Sequence, residues 1–449
     1  MSRRTLVWLV LCALLMALAL RGEAWVNRAE ALGLAQEQDA YRELRRLIDD
    51  RYVDEVDRKK LFYGALEGMA SALDRHTVFW PPERYESEKS STSGHFGGLG
   101  IEIVDDEEHG LTIVTPLADT PAFKAGLLPQ DRILAIDGTS TENMDLAAAS
   151  RLLRGPPKST VVLSIGREGV EQPVDFKVVR DIIKVQSVQE WGLLGAPETF
   201  AARVPAEASK IGYVQLIQFQ EESAADLDAA IRRMEAQGMQ ALILDLRQNP
   251  GGLLTSAIDV CDLFLADGKL VSTRARADRD GATEEEVFFA RGEGTHPGYP
   301  IAVLIDGRSA SASEIVAGCM KDRGRAALVG EKSFGKGSVQ TIVPVELGAL
   351  GEGALKLTTG KYYTPSGESI DGKGIKPDHE VKFGDEELRG LLLGRRKRRL
   401  ENNDPRRNGG EAPAVPALPP GAEAPAEKPF HDTQLEKAIT VLLEQMKAQ

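Results

Sequence analysis

The sequence predicts an α/β core interrupted by a compact β-rich module and preceded by a helical region, and three textures along its 449 residues carry that reading. From Ile211 onward, strongly apolar strands alternate with amphipathic helices, the pattern of a parallel sheet. Between Gly94 and about Val185, Gly-rich turns separate short apolar runs instead. Ahead of both, apolar residues recur at three- and four-residue spacing, as on one face of a helix.

Taken in chain order, residues 1–24 are expected to be a signal peptide or membrane anchor. Arg3 and Arg4 precede an uncharged run from Thr5 to Leu20, the arrangement of an export signal. The run is short for a membrane span, and Ala17 to Ala19 or the stretch ending at Ala24 offers a cleavage site, so cleavage and anchoring both stay open. Leu11 before Cys12 is too bulky for lipoprotein processing. The body of the protein is therefore expected outside the cytoplasm, in the periplasm or cell envelope.

Residues 25–89 are read as packed helices from YRELRRLIDDRY and LFYGALEGMASALD. Residues 90–185 form the β-rich module, with IEIV, LTIVTPL, RILAID and VVLSI as strands and LAAASRLLR as a helix. Residues 186–390 form the α/β core. There GYVQLIQF, QALILDL, IAVLIDG and RAALVG read as strands, while ADLDAAIRRMEAQG, SAIDVCDLFLA and SEIVAGCMKDRG read as helices. The segment ALKLTTGKYYT is expected to end the same sheet. Residues 391–428 are read as a flexible linker, its RRKRR run a solvated flank and its Pro- and Ala-rich stretch too poor in apolar surface to order itself. Residues 429–449 regain helical periodicity and are expected to dock on the body or on another subunit.

A chain of this length exceeds one small core and implies several domains. With 68 acidic and 55 basic residues the net charge is −13, which argues against nucleic acid as a partner. Three cysteines are too few for a disulfide framework, and Cys261 and Cys319 read as small buried residues, with a bridge between them left open. The six histidines are scattered without zinc-site spacing, so neither metal nor cofactor is implied.

Three loops could carry chemistry. In GRSASASE, Ser311 stands where a strand turns into a helix, and the helix start offers free N–H groups to an oxyanion. Ser311 and Glu314 also have capping-box spacing, and on local pattern alone a cap is the better reading. In EKSFGKGSVQ, Lys336 lies between Gly335 and Gly337 after the next strand. Adjacent parallel strands end at one edge, so Ser311 and Lys336 can converge there. A lysine acts as base only when neutral, which requires a lowered pKa, and the flanking glycines and Phe334 suit close packing around such an amine. In DLRQNPGGLL, Gly251 and Gly252 let the backbone approach a ligand, although the same residues make an ordinary turn.

Together these loops resemble the carboxy-terminal processing proteases, serine peptidases with an embedded PDZ domain, and the likeness runs over most of residues 40–380. It implies a ClpP/crotonase-like α/β protease core with an inserted PDZ domain. It also implies Ser311 as nucleophile, Lys336 as general base, Gln340 as the glutamine that orients the lysine, and an oxyanion hole from the N–H groups of Ala312 and of Gly251 or Gly252. Within FGGLGIEIV, Gly98, Leu99, Gly100 and Ile101 resemble the loop that holds a peptide carboxylate. Arg75 and Thr77 depart from the family pattern, with only altered packing expected. The implied function is endopeptidase cleavage of extracytoplasmic proteins near their C-termini. The alternative is a catalytically inert PDZ scaffold or peptide-sensing adaptor. The sequence leaves room for an adaptor or activating partner, for membrane attachment through the N-terminal segment and for a homo-oligomer.

Overall fold

The structure, a computed structural model, describes residues 35–106, 109–195, 205–277, 282–292, 295–296, 298–402 and 431–448; within 396–402 the side chain of Arg398 alone is described. The leader segment 1–24, with Cys12, and most of the expected linker lie outside the described residues. Among the described residues no helix is long and apolar enough to cross a membrane. The chain divides into two compact units at Phe79 and Trp80.

The first unit contains a helix over 35–51 and the helix Arg58–Ser71. Asp57 starts the second helix by accepting from the N–H groups of Lys59 and Lys60, the work of an N-cap. Thr77, at one of the positions that depart from the family pattern, is buried and donates its hydroxyl to Asp74 at 2.8 Å.

In the second unit the β-rich module enters and leaves side by side, because His95–Gly98 pairs antiparallel with Asp181–Lys184. Its antiparallel sheet runs Ile101–Asp106, Gly110–Pro116, Arg132–Ile136, Thr160–Gly166, Val174–Val179 in spatial order. Leu99, Ile113, Leu127, Ile136, Leu163 and Ile165 fill its core. The helix Leu146–Leu153 closes one side, capped by Asp145, whose carboxylate accepts from the Ala148 N–H.

The second sheet of this unit is mostly parallel. Its order is Val188–Leu193, Ile211–Leu216, Ala241–Asp245, Ile301–Ile305, Ala327–Gly330, His379–Glu380, with only the first strand antiparallel to its neighbour. Three of these strands are buried at every residue, as expected when helices cover both faces. Val214, Leu244 and Val303 face the helices Ser223–Ala236, Leu254–Asp262 and Ala312–Asp322. Tyr213, Ile243 and Leu304 face Leu435, Ala438, Ile439 and Leu442 of the helix Thr433–Ala448. Cys261 and Cys319 are free thiols in the first of these layers, both fully buried.

Two expectations are corrected. The segment expected to end the parallel sheet, the strand Glu352–Tyr363, forms a hairpin with Ser338–Glu346 and pairs with Lys269–Arg276 in a separate antiparallel sheet. Its half-polar sequence suits a sheet with one wet face rather than a strand buried on both. Nor are Arg395 and Arg398 of the basic run on a solvated linker flank. Asp385–Asn402 is one helix, and Arg395 is nearly buried against Asp245 while Arg398 pairs with Glu190. A guanidinium is buried when a fixed carboxylate awaits it, and these two lie 150 and 208 positions away in the sequence.

Candidate active site

The strand Ile301–Ile305 hands over to the helix Ala312–Asp322 through Ser311, whose backbone sits at φ 56° and ψ −115°. Such angles cost a residue with a Cβ about 1–3 kcal/mol, whereas an N-cap normally takes relaxed extended angles. Capping alone therefore does not explain this conformation. The neighbouring serines have structural partners: Ser309 Oγ donates to the Leu246 carbonyl and Ser313 Oγ to the Asn249 carbonyl, each at 2.9 Å. Both are fully buried, while Ser311 keeps 7% exposure at the turn.

Glu314 does far more than cap the helix. Its carboxylate accepts from the Ser311 N–H at 2.8 Å, the Ser333 hydroxyl at 2.5 Å, the Gly335 N–H at 2.6 Å and the Lys336 N–H at 2.8 Å. A fully buried anion with four donors is a strong junction, and it ties the serine turn to the lysine loop. Local sequence spacing showed the contact to Ser311 and nothing of the other three, which arise only when the chain folds back.

The lysine loop is held tightly on its other side. A Cβ on Gly337 would meet the Asp371 backbone N at 2.2 Å, so only glycine fits there. Burial pushes the Lys336 ammonium below its ordinary range, the nearby Lys356 charge adds to the push, and Glu314 opposes it. Ser311 and Lys336 thus reach the same edge of the sheet. Among the described residues no hydrogen bond joins the Lys336 amine to Ser311 or to Gln340. The Gln340 amide instead donates to Ser338 Oγ at 2.7 Å and to Thr358 Oγ1 at 3.4 Å.

Phe334 differs from expectation. Ser333 and Gly335 both turn inward onto Glu314, so the ring between them turns outward and is 54% exposed rather than packed on the amine.

Behind the serine, Gly251 lies so close that a Cβ would meet Ser311 Cβ at 2.8 Å and the Ala312 N at 2.9 Å. Its own N–H donates to Asn249 Oδ1 at 2.9 Å, so of the two candidate glycines it is the committed one. Gly252 bridges in parallel to Phe219, with Phe219 N–H bound to the Gly251 carbonyl and Leu253 N–H to the Phe219 carbonyl. That ladder turns the Gly252 N–H away from Phe219. The Ala312 N–H is one of the helix's orphan first-turn donors.

In the β-rich module Gly98, Leu99, Gly100 and Ile101 line a cavity of about 80 Å³ with Phe96, Ile103, Ser150, Leu153 and Arg154. It opens between the strand that starts at Ile101 and the helix Leu146–Leu153, where an added peptide strand would lie. Arg154, unmarked by the sequence reading, stacks over Phe96 at 4.7 Å and brings a cation to the rim.

Residues 210–381 match the model of peptidase family S41, and residues 112–167 match a PDZ domain model. A carboxy-terminal-processing protease of Bartonella bacilliformis is 42% identical over 393 residues, covering 82% of this chain and 85% of that protein. One from Synechocystis sp. is 35% identical, covering 79% of this chain and 83% of its own length. The solved photosystem II D1 C-terminal processing protease is 30% identical and covers 76% of this chain and 86% of that one, with a TM-score of 0.42. With its S41 core, its PDZ domain and relatives that match along most of their length, the chain belongs to the carboxy-terminal processing proteases and is a serine peptidase.

Proposed function

We propose that the protein is an endopeptidase that cleaves extracytoplasmic proteins near their C-termini through a Ser311–Lys336 dyad in a ClpP/crotonase-like core preceded by a helical N-terminal region. The observation that carries the reading is the Glu314 junction, which fixes a strained serine and a lysine whose ammonium is disfavoured by burial to one anchor. The neutral Lys336 amine takes the Ser311 proton as Oγ attacks the scissile carbonyl carbon. The resulting oxyanion rests on the N–H groups of Ala312 and Gly252. The Lys336 ammonium then protonates the departing amine, and an acyl-enzyme remains. Water, deprotonated by the same amine, releases the new C-terminus and restores Ser311.

Proton transfer requires the flexible lysine side chain to close onto the serine hydroxyl, a contact that often tightens only with substrate in place. Gln340 Nε2 is already anchored on Ser338, which leaves its Oε1 to accept from the Lys336 amine on closure. The PDZ domain supplies the C-terminal recognition, and the N-terminal segment directs the enzyme out of the cytoplasm, as signal or anchor.

Labelling with a serine-directed fluorophosphonate and mapping of the tagged peptide tests the assignment. A tag on Ser311 supports it; a tag on another serine overturns it. A second expectation follows from the lysine base. Its neutral form grows with pH, so kcat/KM should rise to a plateau through a pKa below the ordinary lysine value of about 10.4. A profile flat across the neutral and alkaline range contradicts the mechanism.

The peptide loop has its own test. Gly100 sits at φ 76°, and a Cβ there would meet the Thr120 side chain at 2.4 Å. Gly100→Ala in the full chain should weaken binding of an apolar C-terminal peptide by about tenfold or more, a loss of roughly 1.4 kcal/mol, read by fluorescence anisotropy. Unchanged affinity would move the peptide site elsewhere.

A further inference from the structure

Arg247 lies two residues beyond the strand Ala241–Asp245 and is among the largest fully buried side chains of the protein. Its guanidinium donates to both oxygens of Asp432 at 2.9 Å and to Gln434 Oε1 at 3.2 Å. On its other side it holds Asp245, at 2.6 Å to Oδ2. Asp245 also accepts from Arg395 at 2.6 Å and from the Tyr213 hydroxyl at 2.7 Å. Burial works against an ionised Asp245, but Arg247 and Arg395 outweigh it and hold its carboxyl well below the usual range.

Asp245 and Asp432 thus face Arg247 and Arg395 at the foot of the turn that leads to Gly252, with Glu190 also acting on Arg395. The turn leaves Arg247 through Gln248, a non-glycine residue at φ 64° whose N–H is bound by Asp306 at 3.0 Å. Asn249 follows. It links to the Leu216 carbonyl and the Gly251 N–H through its side chain, and its carbonyl accepts from the Ala310 N–H and the Ser313 hydroxyl. A strained junction persists only while its surroundings hold it, here Asp306 at Gln248 itself, the Asn249 links after it and the Arg247 cluster before it.

We propose that Asp432, on the segment that returns after residue 430, is a positioning residue for catalysis, setting the oxyanion turn 248–252 through Arg247. The proposal rests on the Ser311 reading above and extends it. Neutralising Asp432 removes the carboxylate on one side of the buried Arg247 and leaves it to share Asp245 with Arg395. Arg247 then moves toward water to relieve the excess charge and drags the start of the turn with it. The Gly252 N–H is displaced from the place where the oxyanion forms, while substrate contacts elsewhere persist.

The test is Asp432→Asn in the full chain, with competent sites counted by exhaustive fluorophosphonate titration so that kcat refers to folded molecules only. The expected result is a fall in kcat of about 10²-fold with KM within about twofold of wild type. Affinity for a peptide aldehyde, whose Ser311 adduct places an oxyanion on the turn, should fall by the same factor as kcat/KM, with affinity for a product peptide unchanged. A per-site kcat equal to wild type overturns the proposal, as does equal aldehyde affinity, because Asp432 would then serve stability alone. Failure of the underlying reading looks different: wild type itself would then take the fluorophosphonate at a serine other than Ser311.

Discussion

Ser311→Ala and Lys336→Met should each lower kcat by about 10⁴-fold or more, and the lysine variant should at the same time be more stable than the wild type. The activity loss follows because nucleophile and base act as one unit, so removing either removes the chemical step. The stability gain follows from the direction of the Lys336 shift. A partly desolvated ammonium penalises the folded state, and that penalty is fully present at pH values below the folded pKa. Between the folded and unfolded pKa values the unfolded chain binds the proton that the folded one has released, so wild-type stability rises with pH there. Methionine keeps the stem and drops the charge. Its melting temperature at neutral pH should exceed wild type by a few degrees, and the alkaline rise in stability should flatten. Calorimetry across pH, beside casein hydrolysis, reads both effects. A Lys336→Met protein that is less stable at neutral pH, or that still turns over, contradicts the assignment of a desolvated base.

Glu314→Gln should be nearly as damaging, by a different route. A carboxylate accepts at both oxygens, whereas an amide presents an NH₂ group to donors that need an acceptor. Four donors converge on Glu314, and at least two of them would face that NH₂ group. At about 1–3 kcal/mol for each of two buried donors left unpaired, the cost is roughly 2–6 kcal/mol of stability. The lysine loop also loses its link to the serine turn, so kcat should fall by about 10²-fold even in the folded fraction. Denaturant titration and site-normalised kinetics measure the two losses separately. Retention of wild-type kcat would show that the junction is not what sets the dyad.

The parts of this protein that the sequence makes legible are those determined by neighbours along the chain. Alternation of apolar strands and amphipathic helices gives the parallel sheet, and the small residues around Ser311 and Gly251 mark the sharp turns at its edge. The parts that stay hidden depend on partners far away. Glu314 reads as a helix cap because only its contact to Ser311 is local. Arg395 and Arg398 read as solvated because nothing near them hints at Asp245 and Glu190. Phe334 reads as packing for the amine because sequence does not say which way a loop residue faces, and two inward neighbours turned it out. The strand Glu352–Tyr363 reads as part of the parallel sheet for a similar reason: an apolar run shows that a strand exists but not which edge it joins.

The helix Thr433–Ala448 follows every strand of the parallel sheet in the sequence, yet it covers the middle of one face, with Leu435, Ala438, Ile439 and Leu442 against Tyr213, Ile243 and Leu304. On the ribosome that part of the face has no cover until this helix emerges. A chain still in synthesis therefore carries an apolar sheet surface that invites chaperones and keeps the nascent protein unfinished. For a peptidase this sets an order of events, in which translation of the last helix precedes a closed core.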